Sequence, residues 1–141
     1  MSESATLTFD TVQVGQQAHF MVDLTEDMVA DFAAISGDTN PLHTDHTYAA
    51  QTPFGGVVVH GMLGASFFSR LIGMYLPGRY ALYLSQKVTF RKPLRVGMRI
   101  CVEGEVIQKT LATKTIVVAT RILDESGECF TDGEALVSLL T

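Results

Sequence analysis

The sequence predicts an α+β fold in which a long antiparallel sheet wraps around one buried central helix. The segment Gly61–Gly78 is apolar on almost all faces and is ended by Pro77, which is typical of a helix enclosed by the rest of a protein. From Tyr80 onward the chain consists of long, partly alternating runs rich in Val, Ile and Thr, which favour strands. The 141 residues are the usual length of one domain, so we expect a single domain over residues 1–141.

The N-terminal part predicts a strand followed by a helix. Ala18–Val22 is a short run typical of a strand. Asp23 and Glu26 have the spacing of a capping box, which predicts the start of a helix. Gly37 is expected to end this helix, because glycine readily adopts the left-handed conformation of a helix C-terminus. The expected apolar stripe of the helix consists of Met28, Val29, Phe32, Ala33 and Ile35.

The next segment, GDTNPLHTD at residues 37–45, predicts two short helical turns. Asn40 suits an N-cap and Pro41 suits the first helical position, so we expect one turn to run to His43. Asp45 is expected to cap a second turn that runs to Gln51.

The second half of the chain predicts four long strands with short connections between them. Short connections favour pairing between successive strands, so we expect an antiparallel meander. The expected strands are Tyr80–Phe90, Arg99–Lys109, Leu111–Ile122 and Glu128–Leu140.

The charges are distributed unevenly along the chain and argue against two classes of function. Residues 1–69 contain eight acids and no Lys or Arg, residues 70–141 contain ten bases and seven acids, and the net charge is −5. A protein that binds nucleic acid normally carries a broad positive excess, so we expect no nucleic-acid partner. The longest stretch without a charged residue, His46–Ser69, contains glycines and polar residues, so we expect no membrane span.

The cysteines and the N-terminal residues indicate in which cellular compartment the protein is located. Cys101 and Cys129 fit no metal-ligand spacing and no disulfide-rich pattern, so we interpret them as reduced, buried thiols. The N-terminal MSESATLTFD has neither the basic nor the apolar region of a signal peptide. We therefore expect a cytoplasmic protein.

Two motifs together resemble a known enzyme family. The pattern D-x-N-P-x-H at Asp38–His43, followed by VVHGMLGAS at residues 58–66, resembles the MaoC-like hydratases with the hot-dog fold, above all the (R)-specific enoyl-CoA hydratases. The resemblance continues through F-x-x-P-x-x-x-G at Phe90–Gly97, although Met98 stands where the family often has an acid. It implies a hot-dog fold and the reversible hydration of trans-2-enoyl-CoA to (R)-3-hydroxyacyl-CoA.

The chemistry of the residues in these motifs agrees with that implication. Hydration of an α,β-unsaturated thioester requires water to lose a proton as it attacks Cβ, and Cα to gain one, while the thioester oxygen carries enolate charge. The carboxylate of Asp38 and the imidazole of His43 on either side of one water are suited to the proton transfers, and the sequence leaves open which residue acts on the water. By resemblance, the N–H of Gly61 stabilises the enolate, and a helix N-terminus has the unpaired N–H groups that this requires.

Further residues are candidates for contact with the substrate. Asn40 is assigned mainly to the cap of the turn that presents His43, with a direct substrate contact as the alternative. His60 either satisfies a buried main-chain group or takes part in the site. Small residues recur every fourth position along the central helix, which predicts close packing against the sheet, room for an apolar ligand, or both. The expected floor of the acyl pocket consists of Ser69, Ile72 and Val137.

A run of five bases without an intervening acid lies between residues 87 and 99. Its members are Lys87, Arg91, Lys92, Arg95 and Arg99. The simplest interpretation is the solvated end of a hairpin. Alternatively, Arg91 and Lys92 bind the phosphates of coenzyme A or an acidic acyl carrier protein.

The remaining interpretations concern metals, partners and rival functions. His43 and His46 form H-x-x-H without the spacing or ligand number of a zinc site, so we expect no metal, and no cofactor is implied. Open sheet edges predict a homodimer. The rival functions are a thioesterase on the same fold, a 3-hydroxyacyl dehydratase acting on carrier-protein substrates, and a thioester-binding protein without turnover.

Overall fold

Five antiparallel strands form one sheet in the computed structural model, which describes residues 2–141. The strands are β1 (Gln17–Asp23), β2 (Ala81–Phe90), β3 (Arg99–Thr110), β4 (Thr115–Leu123) and β5 (Cys129–Leu139). The helices are α1 (Glu26–Ser36), α2 (Pro41–Thr44), α3 (His46–Ala50) and α4 (Gly61–Arg70), the last of which continues as a π-helical turn over Leu71–Tyr75. The predicted α+β class is confirmed.

The sheet is not the simple meander that the sequence predicts. Its order is β1-β3-β4-β5-β2, so only β3, β4 and β5 follow one another as neighbours, and β2 crosses over to pair with β5. The connection between β2 and β3 is an ordered crossing segment and not a hairpin turn. Leu94 in this connection is buried, and its carbonyl accepts a hydrogen bond from the N–H of Val59 at 2.8 Å. The connection between β2 and β3 is therefore fixed by tertiary contacts.

Helix α4 packs against the inner face of the sheet, and its burial is one-sided. Phe68 and Leu71 are almost fully buried in one cluster with Ile100 and Val102 of β3. Gly104 permits this approach, because a Cβ at that position would lie 2.9 Å from the side chain of Leu71. The opposite side is open in the single chain, where Met62 is 59% exposed. The prediction of a helix buried all round is therefore confirmed for only one side.

Helix α1 begins and packs differently from its prediction. Its N-cap is Thr25, whose hydroxyl accepts the N–H of Met28 at 3.2 Å, and not Asp23, which is the last residue of β1. Gly37 ends the helix as predicted, with φ of 77°. Ile35 is 85% exposed and lies outside the buried stripe. No helix within residues 2–141 has the length and apolarity needed to span a membrane.

The fold separates the run of basic residues into different environments. Arg95 reaches across to the segment between α3 and α4, where its guanidinium donates to the carbonyls of Phe54 at 2.6 Å and Gly56 at 3.1 Å. Arg99, by contrast, makes only a 3.9 Å ion pair with Asp23 at the surface. Arg95 is therefore a structural residue, whose hydrogen bonds link the segment before α4 to the β2–β3 connection.

Replacing Arg95 by methionine is expected to lower the free energy of unfolding by about 1–3 kcal/mol, because two main-chain carbonyls lose their charged donor. Urea denaturation of the purified variant measures this loss. The matched control is Arg99→Met, which is expected to change the free energy by less than about 0.5 kcal/mol, because its ion pair is exposed. Equal effects of the two substitutions would contradict the structural role of Arg95.

Candidate active site

The segment 37–45 folds into the two short helices that the sequence predicts. The side-chain oxygen of Asn40 accepts the N–H of Leu42 at 2.9 Å and caps α2. The carboxylate of Asp45 accepts the N–H of Tyr48 at 3.0 Å and caps α3. Both predicted caps are confirmed, and the short helix α2 carries His43 toward the interior.

Asp38 lies in the turn between α1 and α2, where local hydrogen bonds orient its carboxylate. One oxygen, Oδ1, accepts the N–H of Asn40 at 3.1 Å, and the N–H of Asp38 donates to the hydroxyl of Ser36 at 3.1 Å. A turn in which the carboxylate accepts a main-chain N–H two residues later is typical of Asp. It fixes Oδ1 and leaves Oδ2 free to bind a ligand. The side chain is exposed in the single chain.

His43 is half-buried, and a main-chain contact determines its tautomer. Its Nδ1 lies 2.6 Å from the carbonyl oxygen of Val58. Because a carbonyl oxygen only accepts, Nδ1 carries the hydrogen, and in the neutral ring Nε2 has the free lone pair. A carboxylate oxygen of Asp38 and a ring nitrogen of His43 lie within 4.8 Å of each other. Two hydrogen bonds that meet at one water span about 4.6 Å, so this upper limit on the distance leaves room for a bridging water.

His60 is buried beneath the two residues of this pair. It is 2% exposed, and its Nε2 lies 2.9 Å from the main-chain oxygen of Asp38. Its ring stacks on that of His43 with the centroids 4.0 Å apart and the planes inclined by 26°. His60 thus satisfies a main-chain group, as one of the two interpretations of the sequence expects, and it also contacts the pair itself.

Gly61 begins α4 and presents a free main-chain donor beside the pair. Within the part of the chain that the structure describes, the N–H groups of Gly61 and Met62 have no acceptor. The ring of Phe90 packs directly on Gly61, since a Cβ there would lie 2.9 Å from the ring. A side chain at position 61 would therefore displace Phe90.

A cavity of about 350 Å³ joins several of the predicted residues. His43, Gly61, Arg91 and Lys92 all line it, whereas Asp38 is not among its lining residues. Its apolar wall was not predicted from the sequence. The signal in the sequence was that most of the wall lies within the two motifs at residues 58–66 and 90–97. This wall includes Phe54, Val58, Val59, Met62, Phe90 and Leu94.

The two bases at the cavity already have acidic partners. Arg91 donates from Nε to Asp132 at 2.8 Å, and Lys92 pairs with Glu128. The hydrogen bond and the charge of Asp132 raise the pKa of Arg91 above its usual value. The guanidinium of Arg91 keeps its two terminal nitrogens for another acceptor, because only Nε is used in this pair.

The residues predicted for the acyl floor are placed apart from this cavity. Ile72 and Val137 are 1% and 0% exposed within one packed cluster, and Ser69 is exposed on α4. None of the three lines the described cavities that His43 borders. Their role in chain-length selection stays a prediction.

Asp38, His43 and His60 also form a group of potential metal ligands within 4.8 Å. Each imidazole already has one nitrogen in contact with a main-chain oxygen. These three side chains are also fewer than the four protein ligands of a structural zinc site. This geometry fits a water held between a carboxylate and an imidazole better than the tetrahedral ligand set of zinc.

Comparison with known proteins agrees with this geometry. The family model described as "MaoC like domain" matches residues 9–127. The (R)-specific enoyl-CoA hydratase of Aeromonas caviae is 42% identical over 137 residues, which covers 94% of this chain and 99% of that protein. The 3-hydroxybutyryl-CoA dehydratase of Methylorubrum extorquens is 34% identical and covers 99% of this chain and 88% of its own length.

Comparison with solved structures agrees with the comparison of sequences. The unliganded R-hydratase PhaJ1 of Pseudomonas aeruginosa has a TM-score of 0.92 at 36% identity and covers 98% of this chain and 88% of its own. The hot-dog fold that the resemblance implies is thereby confirmed. With its D-x-N-P-x-H loop, its helix that begins at Gly61 and a family match over most of its length, this chain belongs to the MaoC-like domain family.

Proposed function

We propose that this protein is an (R)-specific enoyl-CoA hydratase, which adds water reversibly to trans-2-enoyl-CoA and yields (R)-3-hydroxyacyl-CoA. The observation that carries the proposal is the pair Asp38 and His43 at a water-bridging separation, with the free N–H of Gly61 in the same region. The names of the relatives support the CoA thioester and the stereochemistry.

The proposed proton transfers follow from the tautomer of His43. Its Nε2 accepts a proton from the water, whose oxygen forms the new bond to Cβ, while Asp38 accepts the second hydrogen bond of the water. The π electrons of the double bond move toward the thioester oxygen, and Cα then takes up one proton from the protonated pair. The overall change is one water added, with no net change in the protein.

The enolate oxygen is proposed to bind at the N-terminus of α4. The N–H of Gly61 and the positive end of the helix stabilise the charge that develops there. The absence of a side chain on Gly61 allows the thioester to approach the main chain closely. The apolar wall of the cavity excludes water from the rest of the thioester, which strengthens the hydrogen bond to its oxygen.

Asp38→Asn and His43→Ala are each expected to lower kcat for crotonyl-CoA by about 10²–10⁴-fold, because each removes one proton acceptor. Loss of the enoyl absorbance measures the rate, and circular dichroism checks the fold. Asp45→Asn is the matched control, since it changes a carboxylate in the same loop that only caps α3. Near-normal activity of either dyad variant would contradict the assignment.

The same assay separates hydration from thioester cleavage. We expect crotonyl-CoA to lose its enoyl absorbance without release of a free thiol, since the proposed attack is on Cβ and not on the carbonyl carbon. A thiol reagent measures free coenzyme A in the same reaction. Stoichiometric thiol would favour the thioesterase, and saturable binding of crotonyl-CoA without change in either signal would favour the binding protein.

Coenzyme A is the proposed carrier in preference to an acyl carrier protein. The bases that line the cavity have the local acids Asp132 and Glu128 beside them, so the mouth lacks the unopposed positive field that attracts an acidic protein. Individual phosphates remain suitable ligands for the terminal nitrogens of Arg91.

Arg91→Ala is expected to raise KM for crotonyl-CoA by about tenfold and to leave KM for crotonyl-pantetheine unchanged, because only the first substrate has the nucleotide phosphates. Steady-state kinetics with both substrates test this. Lys87→Ala is the control, since Lys87 borders a second cavity together with Arg91 but does not line the cavity that His43 and Gly61 border. An equal rise in KM for both substrates would contradict a phosphate contact.

We also propose that two copies pair through the β2 edge, with the protein located in the cytoplasm. β2 is an edge strand on which Leu82 and Leu84 are about half exposed. One side of α4 is also exposed in the single chain. Pairing would cover an apolar edge that otherwise invites association.

Leu84→Lys is expected to convert the dimer to a monomer, because a charge on an edge strand opposes edge-to-edge pairing. Light scattering after gel filtration measures the mass. Leu111→Lys is the control, since Leu111 is 73% exposed in the turn between β3 and β4. A monomeric wild-type protein would overturn the proposal.

A further inference from the structure

We propose that His60 is a positioning residue that sets the distance between Asp38, His43 and the N–H of Gly61. This inference rests on the proposed function, because it assigns His60 a part in the same reaction. The sequence made His60 a candidate for contact with the substrate. Because His60 is only 2% exposed, it has almost no surface for a ligand, and we assign it a positioning role instead.

His60 connects the three functional elements through three different parts of its structure. Its Nε2 contacts the main-chain oxygen of Asp38 at 2.9 Å, its ring face lies on His43 at 4.0 Å, and its main chain leads directly into Gly61. Asp38 and His43 belong to an exposed turn and to a four-residue helix, neither of which is rigid by itself. The buried ring beneath them gives both a common support.

The hydrogen bond determines the tautomer of His60 in its neutral form. Because the oxygen of Asp38 only accepts, Nε2 carries the hydrogen and Nδ1 has the lone pair. Nδ1 is buried and has no partner among the described residues. A second N–H at this nitrogen would have no acceptor among the described residues, whereas the neutral ring has no second N–H to satisfy.

The neutral ring also suits the charge that His43 acquires during the reaction. The titratable groups grouped with His60 are Asp38 and His43, and Phe32 of α1 packs on it with its ring centroid 4.9 Å away. When His43 accepts a proton, its imidazolium lies over a neutral aromatic ring, which is a favourable arrangement, whereas a second cation at position 60 would repel it.

Two substitutions separate the contacts of His60. His60→Gln keeps a donor near the position of Nε2 and removes the ring, and His60→Phe keeps an aromatic face and removes the donor. Each is expected to lower kcat for crotonyl-CoA by about 10- to 100-fold, since small displacements of reacting groups are costly. The dissociation constant of butyryl-CoA, an unreactive saturated analogue, is expected to change less than about twofold.

A double-mutant cycle distinguishes positioning from general damage. In the His43→Ala background, His60→Gln is expected to cause a smaller loss of turnover than in the wild-type protein, because one of the groups that it positions is already absent. Thermal unfolding checks that each variant is folded. Full kcat in both single variants, weaker binding of butyryl-CoA with unchanged kcat, or additive losses in the cycle would each overturn the proposal.

One measurement is independent of catalysis. Nitrogen-detected NMR of the wild-type protein at neutral pH is expected to show His60 as the Nε2–H tautomer and His43 as the Nδ1–H tautomer. The opposite tautomer at His60 would overturn the positioning role even if the enzyme is active. If the wild-type protein leaves crotonyl-CoA unchanged, the proposed function is refuted. The tautomer measurement tests the contacts of His60 even in that case.

Discussion

The geometry of the candidate active site depends on the short segment Val58–His60, which contacts three separate parts of the molecule. The N–H of Val58 donates to Leu42 in α2 at 3.1 Å, and its carbonyl accepts from His43 at 2.6 Å. On the other side, the N–H of Val59 donates to Leu94 in the β2–β3 connection at 2.8 Å. The segment then enters α4. Because this segment forms hydrogen bonds on both sides, the packing of α4 against the sheet also fixes the position of the His43 imidazole.

The same arrangement orders two side chains of the candidate site although they are partly exposed to solvent. Asp38 lies in a solvent-accessible turn, and hydrogen bonds to Asn40 and Ser36 limit its motion. His43 is restrained through Nδ1, so its other nitrogen stays free for proton transfer. Arg95 adds a restraint from outside by binding the carbonyls of the loop that precedes Val58. Local hydrogen bonds thus orient the pair, and long-range contacts locate it.

Much of the fold could be predicted from local patterns. The five strands and the helices α1 to α4 appear close to their expected positions, because side-chain periodicity and the caps Asn40 and Asp45 act over only a few residues. The pairing of β2 with β5 was not predictable in this way, since it joins strands that are separated in sequence by β3 and β4. The start of α1 was misassigned because Asp23 is also paired as the last residue of β1, and Thr25 becomes the cap.

The sequence alone determined which residues are chemically suited to the site: the carboxylate and imidazole on either side of Asn40-Pro41, and a glycine at the start of the apolar helix. These follow from residue type and short spacing, which a linear pattern contains. Only the tertiary structure decided that His60 lies under both members of the pair, that Arg95 is structural while Arg91 borders the cavity, and that Ile72 and Val137 are packed away from it. The physical reason is that stacking, burial and ion pairing join residues from distant segments, and their geometry exists only once the sheet has closed around α4.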